Sequence, residues 1–186
     1  MRKIQVQSAH HVTIVGSTRQ SAIDFWEGVL GMPYLFEQPN LGKADENHLY
    51  FDPGDGRLLT VFTNETRVDA KRPAPREIGC VDHLAFGVSR ATFALAPERL
   101  REHGIEFIER DRGFMNSIYL TDPNGLKVEL ACYKFEVPEG LRASDILVRA
   151  FRLRVERGDH HITEEHLADA LEIMLATRAA GVREQG

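Results

Sequence analysis

Apolar residues alternate with small or polar ones in two stretches of the chain that resemble each other. Residues 9–16 read AHHVTIVG and residues 82–88 read DHLAFGV. In both, a His is followed by the period-two pattern of a half-buried strand. A helical stretch comes next in each case, over 19–30 with Gly31 as its stop and over 91–103 with Gly104 as its stop. Glycine just past a helix is the usual left-handed cap. Three strand-like runs follow each helix, at 32–37, 47–52 and 57–63 and again at 105–110, 114–121 and 126–133. The last two runs of each set are joined by Asp52-Pro53-Gly54-Asp55-Gly56 and by Asp122-Pro123-Asn124-Gly125, residues suited to reversing a chain. The order βαβββ therefore occurs twice.

After Tyr133 the pattern changes: Pro138 and Gly140 break it, and 144–157 and 163–179 read as helices with Ser144 and Thr163 as N-caps. The apolar stripes of these helices (Ile146, Leu147, Ala150, Phe151 and Leu153, then Leu167, Leu171 and Met174) need a partner surface, in this chain or another. The expected fold is α+β: two paired βαβββ modules forming a curved mixed sheet around a metal site, with a C-terminal helical extension. The boundaries are 1–135 for the two-module domain (8–65, a linker rich in Arg, Pro and Ala at 66–78, and 79–135) and 136–186 for the extension.

Alternation also sorts each strand into two faces. Val12 and Ile14 oppose His11 and Thr13; Leu49 and Phe51 oppose His48 and Tyr50. In the second half, Leu84 and Phe86 oppose His83 and Ala85, Ile118 and Leu120 oppose Ser117 and Tyr119, and Val128 and Leu130 oppose Lys127 and Glu129. One face is aliphatic and fit for helices to cover. The other gathers His11, His83, Glu129, His48 and Tyr119, and there a ligand pocket is expected. Two imidazoles and a carboxylate on one face fit a mononuclear metal site with open positions. Spacing alone leaves a second reading open, in which each is an ordinary satisfied strand residue. Asp159-His160-His161 and His166 read as a polar, solvated turn and helix cap rather than a second metal site.

Composition narrows the classes. The chain has 186 residues, 42% hydrophobic and 27% charged, with a net charge of −5 spread over both signs. A nucleic-acid binder would show a basic stripe, and a membrane span about 20 apolar residues in a row; neither pattern is present, so neither partner is expected. The start, Met1-Arg2-Lys3, leads into Gln5, Gln7 and Ser8 rather than an apolar leader, and two cysteines are too few for a disulfide scaffold. A cytoplasmic setting is expected.

Paired βαβββ modules with a strand-opening His, FW-x-x-x-LG in the first helix and DPNG-x-x-x-E in the last hairpin resemble the vicinal oxygen chelate superfamily, which includes glyoxalase I, antibiotic-resistance proteins and type I extradiol dioxygenases. The resemblance covers residues 9–135. HHVTI, HLYFD, VDHLAFGV and SIYLTDPNGLKVELA are most similar to ring-cleaving dioxygenases of the hydroquinone type. It implies His11, His83 and Glu129 as metal ligands, with His10 a neighbour that packs or hydrogen-bonds. It implies Tyr119 and His48 as catalytic residues that manage protons, and Thr13 and Arg112 as substrate-binding residues. The place of glyoxalase I's second carboxylate falls near Thr60, a poor ligand. Two His and one carboxylate then imply Fe(II), with Mn(II), Ni(II) or Zn(II) as alternatives. The implied reaction is extradiol-type cleavage of a catechol or hydroquinone-like diol by dioxygen. The alternatives are a glyoxalase-type lyase or isomerase and a non-catalytic binding or resistance protein. Hydroquinone-type enzymes generally have four modules, so with two modules the pocket walls must come from the tail or a second subunit, or be absent. A homodimer or higher homo-oligomer is expected.

Overall fold

The structure is a computed structural model. It describes residues 2–70 and 72–183, with side chains described as far as residue 179. In chain order the elements are β1 (His11–Val15), α1 (Arg19–Ile23) continued by a π-helical segment (Asp24–Val29), β2 (Tyr34–Pro39), β3 (Asn47–Phe51) and β4 (Leu58–Thr63). They repeat as β5 (Leu84–Gly87), α2 (Arg90–Glu102), β6 (Phe107–Asp111), β7 (Met115–Thr121) and β8 (Lys127–Tyr133), and α3 (Ala143–Arg157) and α4 (Glu164–Arg183) follow. Among the described residues the strands form two four-stranded sheets with one connectivity, β1-β4-β3-β2 and β5-β8-β7-β6. In the first, β1 runs parallel to β4 while β3 is antiparallel to both β4 and β2, a mixed sheet. The α+β class, the repeated βαβββ order and the helical C-terminal part are therefore present. Gly31 and Gly104 end the two module helices in the left-handed region, at φ 69° and 68°.

By their contacts the residues divide into two compact units: Met1–Phe86 with Ala94–Phe107 and Tyr119–Glu129, and Gly87–Phe93 with Ile108–Ile118 and Leu130–Gly186. In the first unit Leu49, Phe51, Leu59 and Val61 are at most 2% exposed. The π-helical segment widens its turn, with the Leu30 N–H donating to the Phe25 carbonyl and the Met32 N–H to that of Trp26. Phe25 and Trp26, adjacent in sequence, are both buried. Trp26 meets Phe25 and Phe86 edge-on, with ring centroids 5.0 and 6.0 Å away. Arg67 ties the sheet's end together: its guanidinium donates to the carbonyls of Gly16 and Phe62 at 3.0 and 3.1 Å and pairs with the buried Glu46.

β1 departs from the two-faced expectation. Val12 and Val15 are 39% and 66% exposed. β1 is the edge of its sheet, with a neighbour on one side only, so alternation is not matched by burial there. The fifth strand starts later than its sequence suggests, and His83 stands just before β5 rather than in it.

In the second unit the apolar stripes of the two C-terminal helices find their partner in the same chain. Ile146, Ala150 and Leu153 of α3 pack with Leu167 and Ala170 of α4 and with Phe135. Phe151 is not part of this core; it is half-exposed, with the Arg154 guanidinium over its ring at 5.0 Å. The N-cap of α3 is Arg142, not Ser144, and the Asp145 carboxylate accepts from the Arg142 N–H at 3.3 Å. Thr163 precedes α4 as expected, and its N–H donates to His166 Nδ1 at 3.0 Å. His166 is 1% exposed, so the solvated reading fails for this residue: it sits among the side chains under the helix start and does the work a Glu or Gln does in a capping box.

Trp26 fills the first unit's core without exposure. Trp26→Ala should cost about 3–5 kcal/mol of stability, the range for removing a large buried aromatic, measured by urea unfolding with the slope unchanged.

Candidate metal centre

The site builds up from β8 and the segment just before β5. Glu129 is held on β8 at 1% exposure, between Val128 and Leu130, which are buried themselves. Its Oε2 lies 2.8 Å from His83 Nε2, and its Oε1 is buried with no hydrogen-bond partner. His83 Nδ1 lies 2.8 Å from Asp82 Oδ2. Asp82 also accepts from Lys127 Nζ at 2.8 Å and pairs with Arg76 Nε at 2.7 Å. The Lys127 ammonium, the His83 ring and the Arg76 charge together hold its carboxyl well below the usual carboxylate range. Asp82 is therefore an anion at any ordinary pH, and with the His83 proton on Nδ1 it is that proton's acceptor.

That assignment leaves a choice at the other nitrogen. Either the ring also carries a proton on Nε2, as an imidazolium between two carboxylates, or Nε2 and Oε2 are two acceptors facing each other across 2.8 Å. Two such lone pairs repel unless a cation joins them. Ligands about 2.1 Å from one ion and at right angles stand about 3 Å apart. The pair therefore fits two adjacent ligands of a divalent metal. The orphaned Oε1 and the carboxylate behind the imidazole fit it as well, since metal-bound His is commonly oriented this way.

The first sheet carries the other two histidines predicted for the site, His11 and His48. His11 opens β1, is exposed, and has Nδ1 2.8 Å from His10 Nδ1, so His10 is the hydrogen-bonding neighbour expected of it. Among the described residues no group of three His, Cys, Asp or Glu side chains is placed to hold one ion. The structure thus brings together His83 and Glu129, and does not bring His11 to them. Thr13 and Thr60 are register partners, and the Thr60 hydroxyl donates to Thr13 Oγ1 at 2.8 Å. Thr60 is 1% exposed, and its hydroxyl is committed to a protein acceptor.

His48 shares its face with Tyr50 and Phe62, whose rings lie 4.4 Å away. Gln38 Nε2 donates to Tyr50 Oη at 3.2 Å, and that oxygen lies 2.9 Å from His48 Nδ1. Where the Tyr50 hydroxyl donates to Nδ1, the His48 proton is on Nε2, a buried atom without a partner among the described residues. Burial, followed by the nearby His11, pushes the His48 pKa down. Tyr119 stands edge-on to His83 at 5.7 Å. Arg112 is exposed on the turn between β6 and β7, where its N–H donates to the Met115 carbonyl, and it belongs to the second unit. Sequence reasoning passed over Asp82, Tyr50 and Gln38. Asp82 had a signal: an acid directly before the strand-opening His, with Lys127 two positions from Glu129.

Residues 8–130 match the model of the glyoxalase/bleomycin resistance protein/dioxygenase superfamily. The chain belongs to that superfamily. MhqO of Bacillus subtilis strain 168, named as a candidate ring-cleaving dioxygenase, is 26% identical over 121 residues, 65% of this chain. The chain spans only 38% of MhqO's length. Glutathione transferase FosA of Serratia marcescens is 27% identical over 125 residues, covering 67% of this chain and 80% of FosA. The crystal structure of a glyoxalase family protein from Enterococcus faecalis superposes with a TM-score of 0.54 at 30% identity, over 67% of this chain and 97% of that one. No helix of the described residues is long and apolar enough to cross a membrane.

Two outcomes follow. Asp82→Asn should weaken divalent-metal binding by about 10- to 100-fold, the usual cost of losing a carboxylate behind a metal-bound His, as read by calorimetric titration. His48 should titrate below the 6.5 of a free imidazole. The unfolded chain then takes up the proton more readily, so the His48 contribution is complete above pH 6.5 and is lost as pH falls through the lower folded value. Histidine NMR and pH-resolved unfolding check the two halves of this statement.

Proposed function

We propose that the chain is a metal-dependent dioxygenase that opens the ring of a catechol or hydroquinone-like diol, with Fe(II) as its metal. The observation that carries this reading is the contact of His83 Nε2 with the buried Glu129 Oε2, whose companion Oε1 has no partner among the described residues. His83 and Glu129 would hold the ion, and His11, which the structure does not bring to them, is the further ligand that the resemblance implies. When bound, Fe(II) supplies the Lewis acidity and redox capacity that oxygenation of an aromatic ring requires.

The chain's own residues divide the remaining tasks. Asp82 keeps the His83 Nε2 lone pair free for a ligand role. Tyr119, beside His83, offers a phenolic proton close to the metal ligands. His48, neutral and with its proton on Nε2, offers a donor for an anionic diol oxygen. Thr13 receives the Thr60 hydroxyl, so its own hydroxyl proton is available to substrate. The likeness to MhqO supports ring cleavage, and Thr60 in place of a carboxylate supports oxygen chemistry over glyoxalase-type isomerisation.

A second reading, transfer of glutathione to a small electrophile, is favoured by one observation: the match extends over 80% of FosA. One experiment separates them. The protein is loaded with Fe(II) without oxygen, then given air and a panel of aromatic diols, and in parallel glutathione with a small epoxide. The proposal expects one dioxygen consumed per diol and at least a hundredfold loss in Glu129→Ala. Thiol consumption without oxygen uptake would replace it with the second reading.

A further inference from the structure

A cleft in the second unit lies outside residues 8–130 and has no part in the function proposed above. It is formed by the Gly140–Leu141 loop with α3 and α4, and its volume is about 720 Å³. Leu141, Ile173 and Met174 supply an apolar wall, and Arg149 and Arg178 supply two guanidinium groups. None of its described lining residues is acidic.

Both arginines are in unusual states. The Arg149 Nε–H is buried and has no acceptor among the described residues. Leaving a donor of a charged group both dry and unpaired is costly, and an incoming acceptor removes that cost. Arg178 is held in place: one of its terminal nitrogens donates to the Glu139 carbonyl, and its guanidinium lies against Gly140. A Cβ on residue 140 would meet three guanidinium atoms at 3.3–3.5 Å, and the residue has φ +77°. Glycine at this position therefore admits the close approach. The Thr177 hydroxyl donates to the Ile173 carbonyl at 2.8 Å, so the arginines are the cleft's strong donors.

We propose that this cleft binds a small organic anion, its acid group on Arg149 and Arg178 and its apolar body on Leu141, Ile173 and Met174. Planar guanidinium forks suit carboxylate and phosphonate oxygens, and the apolar wall selects an acid with a hydrocarbon body over a bare inorganic ion.

The test uses the full chain with benzoate, benzamide and inorganic phosphate as probes. Binding is followed by the Met174 methyl resonance and by the rise in thermal midpoint that a native-state ligand produces. Benzoate should shift Met174 saturably, with benzamide and phosphate each at least tenfold weaker. Arg149→Met should lose at least tenfold in benzoate affinity without lowering the midpoint of the free protein, because no Nε hydrogen bond is lost. Arg178→Gln should weaken benzoate similarly and serves as the second variant should Arg149→Met fail to fold. Equal binding of benzamide overturns the role of the arginines, and equal binding of phosphate overturns that of the apolar wall. A benzoate response that survives the substitutions, or no saturable benzoate binding at all, overturns the site.

Discussion

Four side chains of the first sheet, Leu49, Phe51, Leu59 and Val61, are withdrawn almost completely from water. Burying such a side chain is worth about 1.5–3 kcal/mol. A slip of one residue in β3 or β4 would turn all of its side chains to the other face. It would expose Leu49 and Phe51 and bury His48 and Tyr50 if β3 slipped, or expose Leu59 and Val61 and bury Phe62 if β4 did. The hydrophobic term therefore fixes the polar face as firmly as the apolar one. Thr13 opposite Thr60, and Tyr50 beside His48, are consequences of what happens on the other side of the sheet. Their hydrogen bonds then set rotamers and tautomers within a register already decided.

The second module uses the same device for a more costly purpose. Val128 and Leu130 are buried on β8, and the residue between them, Glu129, is buried on the opposite face. A buried carboxylate needs partners, and Glu129 has one for Oε2 and none for Oε1. Native proteins leave few buried polar atoms unsatisfied, so such an atom calls for a partner. Lys127, on the same strand face two residues away, does not meet Glu129 but neutralises Asp82 instead. The available cation is spent one step behind the imidazole. The front of the ring keeps an uncompensated negative charge, which suits a metal ion better than a side-chain ammonium.

The repeat was legible because its signals are local. Period-two alternation, glycine after each helix and Asp-Pro turns are written in consecutive residues, and Gly31 and Gly104 take the same left-handed conformation. Which face each of His48, Tyr119 and Glu129 occupies was legible for the same reason. Distances were not. Alternation places His11 and His83 on polar faces, but it says nothing about how far a residue of β1 lies from one preceding β5. Nor could it show that an edge strand leaves Val12 and Val15 open to solvent, since burial of β1 depends on what packs beside it. A polar turn looks solvated from its composition, but composition does not show that His166, at 1% exposure, takes the Thr163 N–H at the start of α4.

The two modules share a connectivity and differ where it bears on chemistry. Four residues past the turn glycines Gly56 and Gly125, one module has Thr60 and the other Glu129. Thr60 closes a neutral bond to Thr13, with no charge to desolvate. Glu129 carries the full cost of a buried anion. In the proposed reading, a divalent ion on one carboxylate and neutral imidazole would retain a net positive charge. With a second carboxylate in place of Thr60 that charge would be cancelled. In the function proposed above, a neutral Thr60 and an anionic Glu129 would then leave such a centre able to draw in an anionic oxygen, the form in which a deprotonated diol would present itself.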